Sequence, residues 1–465
     1  MDIKVEVAII GAGTAGLYAL SQVKKKTDDF ILINSGPYGT TCARVGCMPS
    51  KSLIHISEYY HDKKHFDKSG ISNGESLKVS LPEVFQRVRE HRDFLTGHNI
   101  KSVQRYGDKV LDGKAEFIDK HTLRVGDDTI TAKQIIIATG STPIFDSAWE
   151  AFKDDILTTD EIFEQEDLPK TLGILGLGVI GLELGQALAR LGVKVTAIQS
   201  SGFIGGLSDP QINAIMIEEV QKEFDIYFGH KATLSKVNDK IKITAGDKEI
   251  LVDKVLASIG RKPNLSSLKL ENIGIKLDKR GMPSFDKNTM QIEDYPIYLA
   301  GDVTGDNPLQ HEAADEGRIA GYNAVHKTQK FKRKTPLSIV FSDPQIAFVG
   351  VEYNAIKDDK NVIIGSFDYS KQQRARLMNK HKGIAKIYVQ KSDGKLLGAQ
   401  IAAPQGENLA HHLAWAIQQE MTVHDMLELP FYHPTVEEGL FMMLLSCVKQ
   451  LDIKKEGVLE LTKLD

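Results

Sequence analysis

Cysteine is scarce in this chain of 465 residues, occurring only as Cys42, Cys47 and Cys447. A structural disulfide does not persist in a reducing compartment, so the close pair Cys42 and Cys47 points to catalysis, redox sensing or metal binding. Metal is the weakest of the three. Two thiolates do not complete a tetrahedral site, and no His or further Cys lies nearby at ligand spacing. Cys447 sits in an apolar run, Phe441 to Val448, and reads as a small core residue. Long apolar runs are missing too: no stretch approaches the roughly 18 to 20 residues that span a bilayer. The opening residues run straight into an apolar strand, without the order of segments that marks a signal peptide. The expectation is a cytoplasmic protein with no membrane partner. Neither sign of charge is in excess, and a net charge of −4 gives no reason to expect nucleic acid. The densest basic stretch, Lys327 to Lys334, is short, runs up to Pro336 and is expected to be a solvated linker.

The length calls for two to four domains, and 42% hydrophobic with 26% charged residues suits a soluble globular protein. Val5 to Ile10 reads as a buried parallel strand. Gly11-Ala-Gly13-Thr-Ala-Gly16 follows at once and opens a helix. The first glycine permits a tight turn, the second lets a pyrophosphate approach the backbone, and the third lets helix pack on strand. A second strand, Phe30 to Ile33, ends at Asn34. The pattern recurs as Leu172 to Leu175, Gly176-Leu-Gly178-Val-Ile-Gly181, a helix, and Val193 to Ile198 ending at Gln199. One such glycine pattern is weak evidence; two in the same strand–turn–helix–strand context, with equal spacing to the strand-end polar residue, are strong. Two cradles imply two dinucleotides, FAD and a nicotinamide cofactor. Neither strand end carries the acidic residue that binds ribose and repels a 2′-phosphate. Asn34 and Gln199 can accept a ribose hydrogen bond through their carbonyls but repel nothing, so NAD and NADP both stay open.

Between the cradles stands Thr41-Cys42-Ala-Arg-Val-Gly-Cys47-Met-Pro-Ser-Lys51. With Ala138-Thr139-Gly140, Gly260-Arg-Lys-Pro-Asn264, Ala300-Gly-Asp302 and His433-Pro-Thr435 with Glu438, the chain resembles the pyridine nucleotide–disulfide oxidoreductases from end to end. The resemblance implies that Cys42 and Cys47 form a redox-active disulfide over the flavin. Cys47 would exchange electrons with the ring and form its thiolate charge-transfer pair. Cys42 would carry out thiol–disulfide exchange, which needs a thiolate and an accessible sulfur. It further implies that Lys51 and Glu183 pair near the flavin, with Glu183 on the first turn of the second cradle's helix. Asp302 and Thr41 would hold the ribityl–pyrophosphate region, and His433, oriented by Glu438, would be the acid–base partner of Cys42. The chain departs from the family at Phe431, where a histidine is frequent, at Thr40, where glycine is frequent, and at Pro344-Gln345, where Pro-Glu is usual.

The expected fold is α/β, with two Rossmann-like dinucleotide-binding domains and a C-terminal α+β dimerisation domain. Residues 1–145 with a return segment 273–335 would bind FAD, 146–272 would bind NAD(P), and 336–465 would form the dimer interface. Alternation in Gly383 to Val389 and Leu396 to Ala402 suits an antiparallel sheet, with helices about Leu409 to Gln419 and Val436 to Lys449. His411-His412 suit a helix surface, not a metal site. The leading activity is dihydrolipoamide plus NAD⁺ giving lipoamide plus NADH, in a homodimer served by a lipoyl-carrying protein or a small dithiol. The alternatives are a glutathione-reductase-like reductase of another small disulfide, and a redox-sensing flavoprotein with slow turnover.

Overall fold

The computed structural model describes residues 1–453; residues 454–465, the tail of the expected C-terminal domain, lie outside the described residues. The apolar run before Gly11 forms a strand, Asp2–Ile10, buried over Val7 to Ile10. It starts earlier than its apolar residues do, because Asp2 already pairs in register with Thr129 of the neighbouring strand. Parallel strands Phe30–Asn34 and Asp128–Ile137 flank it, and Val110–Asp112 and Ile297–Leu299 extend the sheet outward on either side. Strands buried on both faces need no polar alternation, which is why these segments read as continuous apolar runs.

The second cradle repeats this plan. Strand Thr171–Leu175 lies between Lys194–Gln199 and Lys254–Ala257, with Asp225–Phe228 and Ile156–Leu157 outside them, all parallel. Each sheet also carries an antiparallel excursion before one of its parallel strands. In the first this is Ala115–Asp119 with Thr122–Val125; in the second it is Thr233–Val237, Lys240–Ala245 and Lys248–Val252. A two-stranded ribbon, Ser141–Pro143 against Arg261–Pro263, joins the two units.

The third sheet is wholly antiparallel, in the order Leu337–Val340, Gln345–Gly350, Leu396–Ala403, Ile384–Gln390, Val362–Asp368. Helices Gly406–Gln418 and Glu438–Val448 cover it, and buried Cys447 packs there among Met443, Leu444 and Leu413, with burial pushing its thiol up to about 12. The architecture is the expected one: two parallel α/β units and a C-terminal α+β unit.

Two seams hold the units together, and a third closes the first unit on itself. The apolar core of the second unit runs on into Leu53, beside the redox cysteines, and into Val340 and Ile346 of the third sheet. Alongside it Arg190 bonds Glu223 and Asp343, and Lys382 reaches Asp343 and Glu219. Burial pushes the Asp343 carboxyl up, but Lys382 and Arg190 overcome it and hold the group well below the carboxylate range. The third seam lies within the first unit, where helix Thr14–Val23 meets helix Gln310–Val325 backbone to backbone. A Cβ on Gly317 or Gly321 would collide with the carbonyl of Ala15 or Ala19.

The basic run is not a free linker. Arg333 bonds Glu312 (2.6 Å) and Glu316 (3.0 Å), and Lys334 pairs with Asp315, so the segment straps onto the helix Gln310–Val325. Among the described residues no helix is long and apolar enough to cross a membrane.

Candidate active site

Cys42 lies in a one-turn helix, Thr41–Val45, and Cys47 opens the helix Cys47–His61; a disulfide joins them, with Cα atoms 4.8 Å apart. Gly46 makes the turn between the helices, where an added Cβ would press on Thr41 O and Cys42 Cα. Thr40 caps the first helix by accepting a hydrogen bond from Ala43 N (3.1 Å), at a φ of 54° that β-branched residues rarely adopt. Its hydroxyl offsets a conformation that glycine would take freely. Cys47 at a helix N-terminus is where the helix dipole and free N–H groups favour a thiolate over a thiol.

The disulfide lines a cavity of about 260 Å³, together with Lys51, Glu183, Asp302 and Gly13. Lys51 Nζ sits 2.8 Å from Glu183 Oε2 and 3.0 Å from Oε1. Glu183 is buried, also accepts from Phe341 N (2.9 Å), and lies under a lysine that stacks on the Phe341 ring. The helix begins at Val179, so Glu183 is its fifth residue, just beyond the first turn on which it was expected. That depth lets it reach back to the redox helix. Asp302 Oδ2 accepts from Ser141 Oγ (2.9 Å), which in turn accepts from Arg261 Nε (2.9 Å). Burial pulls the Arg261 guanidinium below its ordinary value, against the fields of Asp302 and Asp160. Phe341 and Ser141 carry no sequence signal of their own, and Arg261 is flagged only as part of the Gly260 to Asn264 motif, since each acts through a contact made only in the fold.

A larger cavity of about 490 Å³ adjoins the first, lined by Gly11, Gly13, Asn34, Thr41, Thr139 and Gly140. Asn264 staples that wall: its side chain donates to Thr139 O (3.0 Å), its backbone N–H donates to Gly140 O (3.0 Å), and its carbonyl accepts from Thr139 Oγ1 (2.7 Å). The Gly260 motif and the Ala138 motif, far apart in sequence, thus meet at one wall. The cradles fit two dinucleotides. Side chains at Gly11 and Gly16 would collide with backbone, as they would at Gly176 and Gly181, while Gly13 and Gly178 face open space. Free N–H groups at a helix start beside such a space are what a pyrophosphate requires. The strand-end amides behave alike. Asn34 Oδ1 accepts from Ala12 N (3.2 Å) and Gln199 Oε1 from Leu177 N (2.9 Å), so each braces its own turn. The carbonyl expected to greet a ribose hydroxyl is already half engaged.

His433 lies at the far end of the chain, 70% exposed, with Nδ1 2.8 Å from Glu438 Oε1. Glu438 Oε2 also accepts from Thr435 N (3.1 Å), and the hydrogen bond from His433 holds its carboxyl below the ordinary value. No histidine lines either cavity. The chain brings His433 and Glu438 together, and Cys42, Cys47, Lys51, Glu183 and Asp302 together, but not the two groups with each other.

Two dinucleotide cradles converging on a disulfide define a flavoprotein disulfide oxidoreductase, dependent on FAD and a nicotinamide dinucleotide. Residues 5–317 match the family described as pyridine nucleotide-disulphide oxidoreductase, and residues 337–443 match its dimerisation domain. The chain belongs to the pyridine nucleotide-disulphide oxidoreductase family. It is 32% identical to a dihydrolipoyl dehydrogenase of Geobacillus stearothermophilus over 447 residues, covering 94% of each chain. A Bacillus subtilis dihydrolipoyl dehydrogenase is 29% identical over 449 residues, covering 94% of this chain and 95% of the relative. Among solved structures, the Cu(II) complex of the HOCl-induced flavoprotein disulfide reductase RclA from Escherichia coli superposes with a TM-score of 0.83. It is 25% identical and covers 95% of this chain and 99% of its own.

Proposed function

We propose that the enzyme oxidises dihydrolipoamide, or the dihydrolipoyl group of a carrier protein, with NAD⁺ as acceptor, giving lipoamide and NADH. The observation that carries this reading is the Cys42–Cys47 disulfide opening on the cavity it shares with Lys51, Glu183 and Asp302. The relatives named dihydrolipoyl dehydrogenase support the substrate. Bound FAD supplies a two-electron relay between the dithiol and the nicotinamide ring.

In this reading His433, held by Glu438, takes the proton of the first substrate thiol. The resulting thiolate attacks Cys42 Sγ, and the Cys42–Cys47 bond breaks to leave Cys47 as thiolate. The second substrate thiol then attacks the substrate sulfur of the mixed disulfide, its proton passing to the Cys42 sulfur that it displaces, which closes the substrate ring and frees Cys42 as a thiol. Two electrons have passed from substrate to the cysteine pair. Lys51 and Glu183 would lie beside bound flavin and nicotinamide. Gly11, Gly13, Gly16, Asn34, Thr41, Ala138, Thr139, Gly140 and Asp302 would hold FAD, and Gly176, Gly178, Gly181, Gln199 and Gly260 would hold the nicotinamide dinucleotide. The domains of this reading are 1–145 with 273–335, 146–272, and 336 onward, in a cytoplasmic protein.

A cavity without a histidine and an exposed His433–Glu438 pair support a homodimer in which His433 serves the partner's cysteines. A second reading, reduction of another small disulfide, is favoured by the likeness to the HOCl-induced reductase. A steady-state screen of lipoamide, dihydrolipoamide and glutathione disulfide against NAD(H) and NADP(H) tests both. Fast dihydrolipoamide oxidation with NAD⁺ supports the first. Turnover confined to glutathione disulfide or another acceptor would replace it with the second.

A further inference from the structure

Arg44 stands two residues beyond Cys42, on the same one-turn helix. It lines the larger cavity beside Gly11, Gly13, Asn34 and Thr41. The residue is half-buried, and among the described residues no carboxylate lies within ion-pairing distance of it. A partly desolvated guanidinium without an anion is costly to leave so, and its planar fork matches paired phosphate oxygens. The cavity's other charges do not neutralise it. Asp160 is the one carboxylate on that wall, and it faces Arg261. Lys114 adds a further cation, but it is exposed and attracts without gripping. The strand-end residue contributes no negative charge either, because it is Asn34 and its amide is spent on Ala12 N–H and Gly36 O.

We propose that Arg44 is an anion-gripping residue of the flavin site, binding the diphosphate of the ADP half of FAD. It would complement the backbone N–H groups of the first cradle, where Gly11, Ala12 and Gly13 line the same cavity. The inference rests on the flavin reading of that cavity, which fails separately if purified wild-type protein carries no flavin. It also ties the redox centre to the cofactor, since one short helix presents Cys42 to the smaller cavity and Arg44 to the larger.

The test is FAD release from the purified holoenzyme on dilution, read by free-flavin fluorescence at low and high KCl, with turnover left aside. Arg44→Met, which keeps the length of the side chain without its charge, should raise the FAD dissociation constant roughly ten- to hundredfold at low salt. Arg44→Lys should recover part of that loss. The gap between wild type and Arg44→Met should narrow as KCl screens the diphosphate. Calorimetry with ADP on the flavin-free protein should show the same order of affinities. If Arg44→Met releases FAD as slowly as wild type, the assignment falls. It falls equally if Arg44→Lys loses FAD as badly as Arg44→Met with no dependence on salt, because the side chain then acts by packing. Circular dichroism of each variant separates either outcome from misfolding, and Lys78→Ala, exposed and outside both cavities, is expected to change release less than threefold or so and controls for nonspecific loss of charge.

Discussion

Lys51 Nζ lies 2.8 Å from Glu183 Oε2, joining the helix that Cys47 opens to the helix that the second cradle opens. The glutamate is 4% exposed and the lysine 32% exposed, so the pair is asymmetric: the anion depends on the cation more than the reverse. Lys51→Met should therefore destabilise the protein by about 2 kcal/mol, less than a fully buried pair would lose. Lys51→Met combined with Glu183→Met should recover at least half of the loss. Urea unfolding of Lys51→Met, Glu183→Met and the double variant decides it. Strict additivity of the single substitutions would mean that the contact carries no coupling.

The Glu438 carboxyl is held below its ordinary value of 4.5 chiefly by the His433 hydrogen bond. A depressed carboxyl adds stability that is present above the unfolded value and lost as pH falls through the folded one. Glu438→Gln should thus lower the melting temperature at neutral pH, and the gap to wild type should close below the ordinary carboxylate range. A gap unchanged into strong acid would show that the effect is not ionic. Turnover of Glu438→Gln should fall roughly tenfold or more at neutral pH, as expected when an acid–base group loses its orienting anion.

The shared-site dimer is tested by mixing. Cys42→Ala and His433→Gln should each be nearly inactive alone. Co-expressed in equal amounts, half the dimers are mixed, and each mixed dimer has one site carrying both lesions and one carrying neither, so about a quarter of wild-type activity returns. A site built within one chain returns none, since every chain then holds a lesion. Differential tagging confirms that mixed dimers formed.

Gln199 braces its turn through Leu177 N (2.9 Å) and donates to Phe203 O (2.6 Å). A carboxylate there keeps the first bond, loses the second and adds a charge that repels a 2′-phosphate. Gln199→Glu should raise the KM for NADPH roughly tenfold or more and that for NADH far less. Equal rises for both would mean that the change merely loosened the turn.

The parts of the fold set by local chemistry were legible in the sequence. Gly11, Gly13 and Gly16, and their counterparts at 176, 178 and 181, announce strand, turn and helix within a few residues, and alternation in Leu396 to Ala402 announces an antiparallel strand. Cys42, Cys47 and His433 were recognisable as a set only through resemblance, because nothing local distinguishes His433 from thirteen other histidines. Lys51–Glu183 apart, which the resemblance supplied, contacts between distant segments left no trace. The Arg190–Glu223–Asp343–Lys382 cluster and the Ser141–Asp302 link unite residues whose types are unremarkable where they stand. Lys330, Lys332 and Lys334 of the basic run are exposed, as a solvated stretch should be, but Arg333 among them was not legible as an anchor because its partners, Glu312 and Glu316, lie on a helix with an ordinary surface pattern. The engagement of Gln199 with its own turn was likewise invisible, since it depends on side-chain direction at a strand end.

The close seating of Gly317 and Gly321 on Ala15 and Ala19 bears on how the protein is made. On the ribosome the helix of the first cradle emerges before the second unit does, but its seat is synthesised only after the whole of that unit. Until then the Ala15 and Ala19 face stays bare, and the wall that Asp302 adds does not exist. A chain arrested after Lys254–Ala257 had emerged would hold the second unit's sheet intact and the first one unfinished, an exposed apolar surface of the kind that recruits chaperones. Flavin capture is therefore a late event in biosynthesis, and the N-terminal residues of this chain are among the last to reach their final packing.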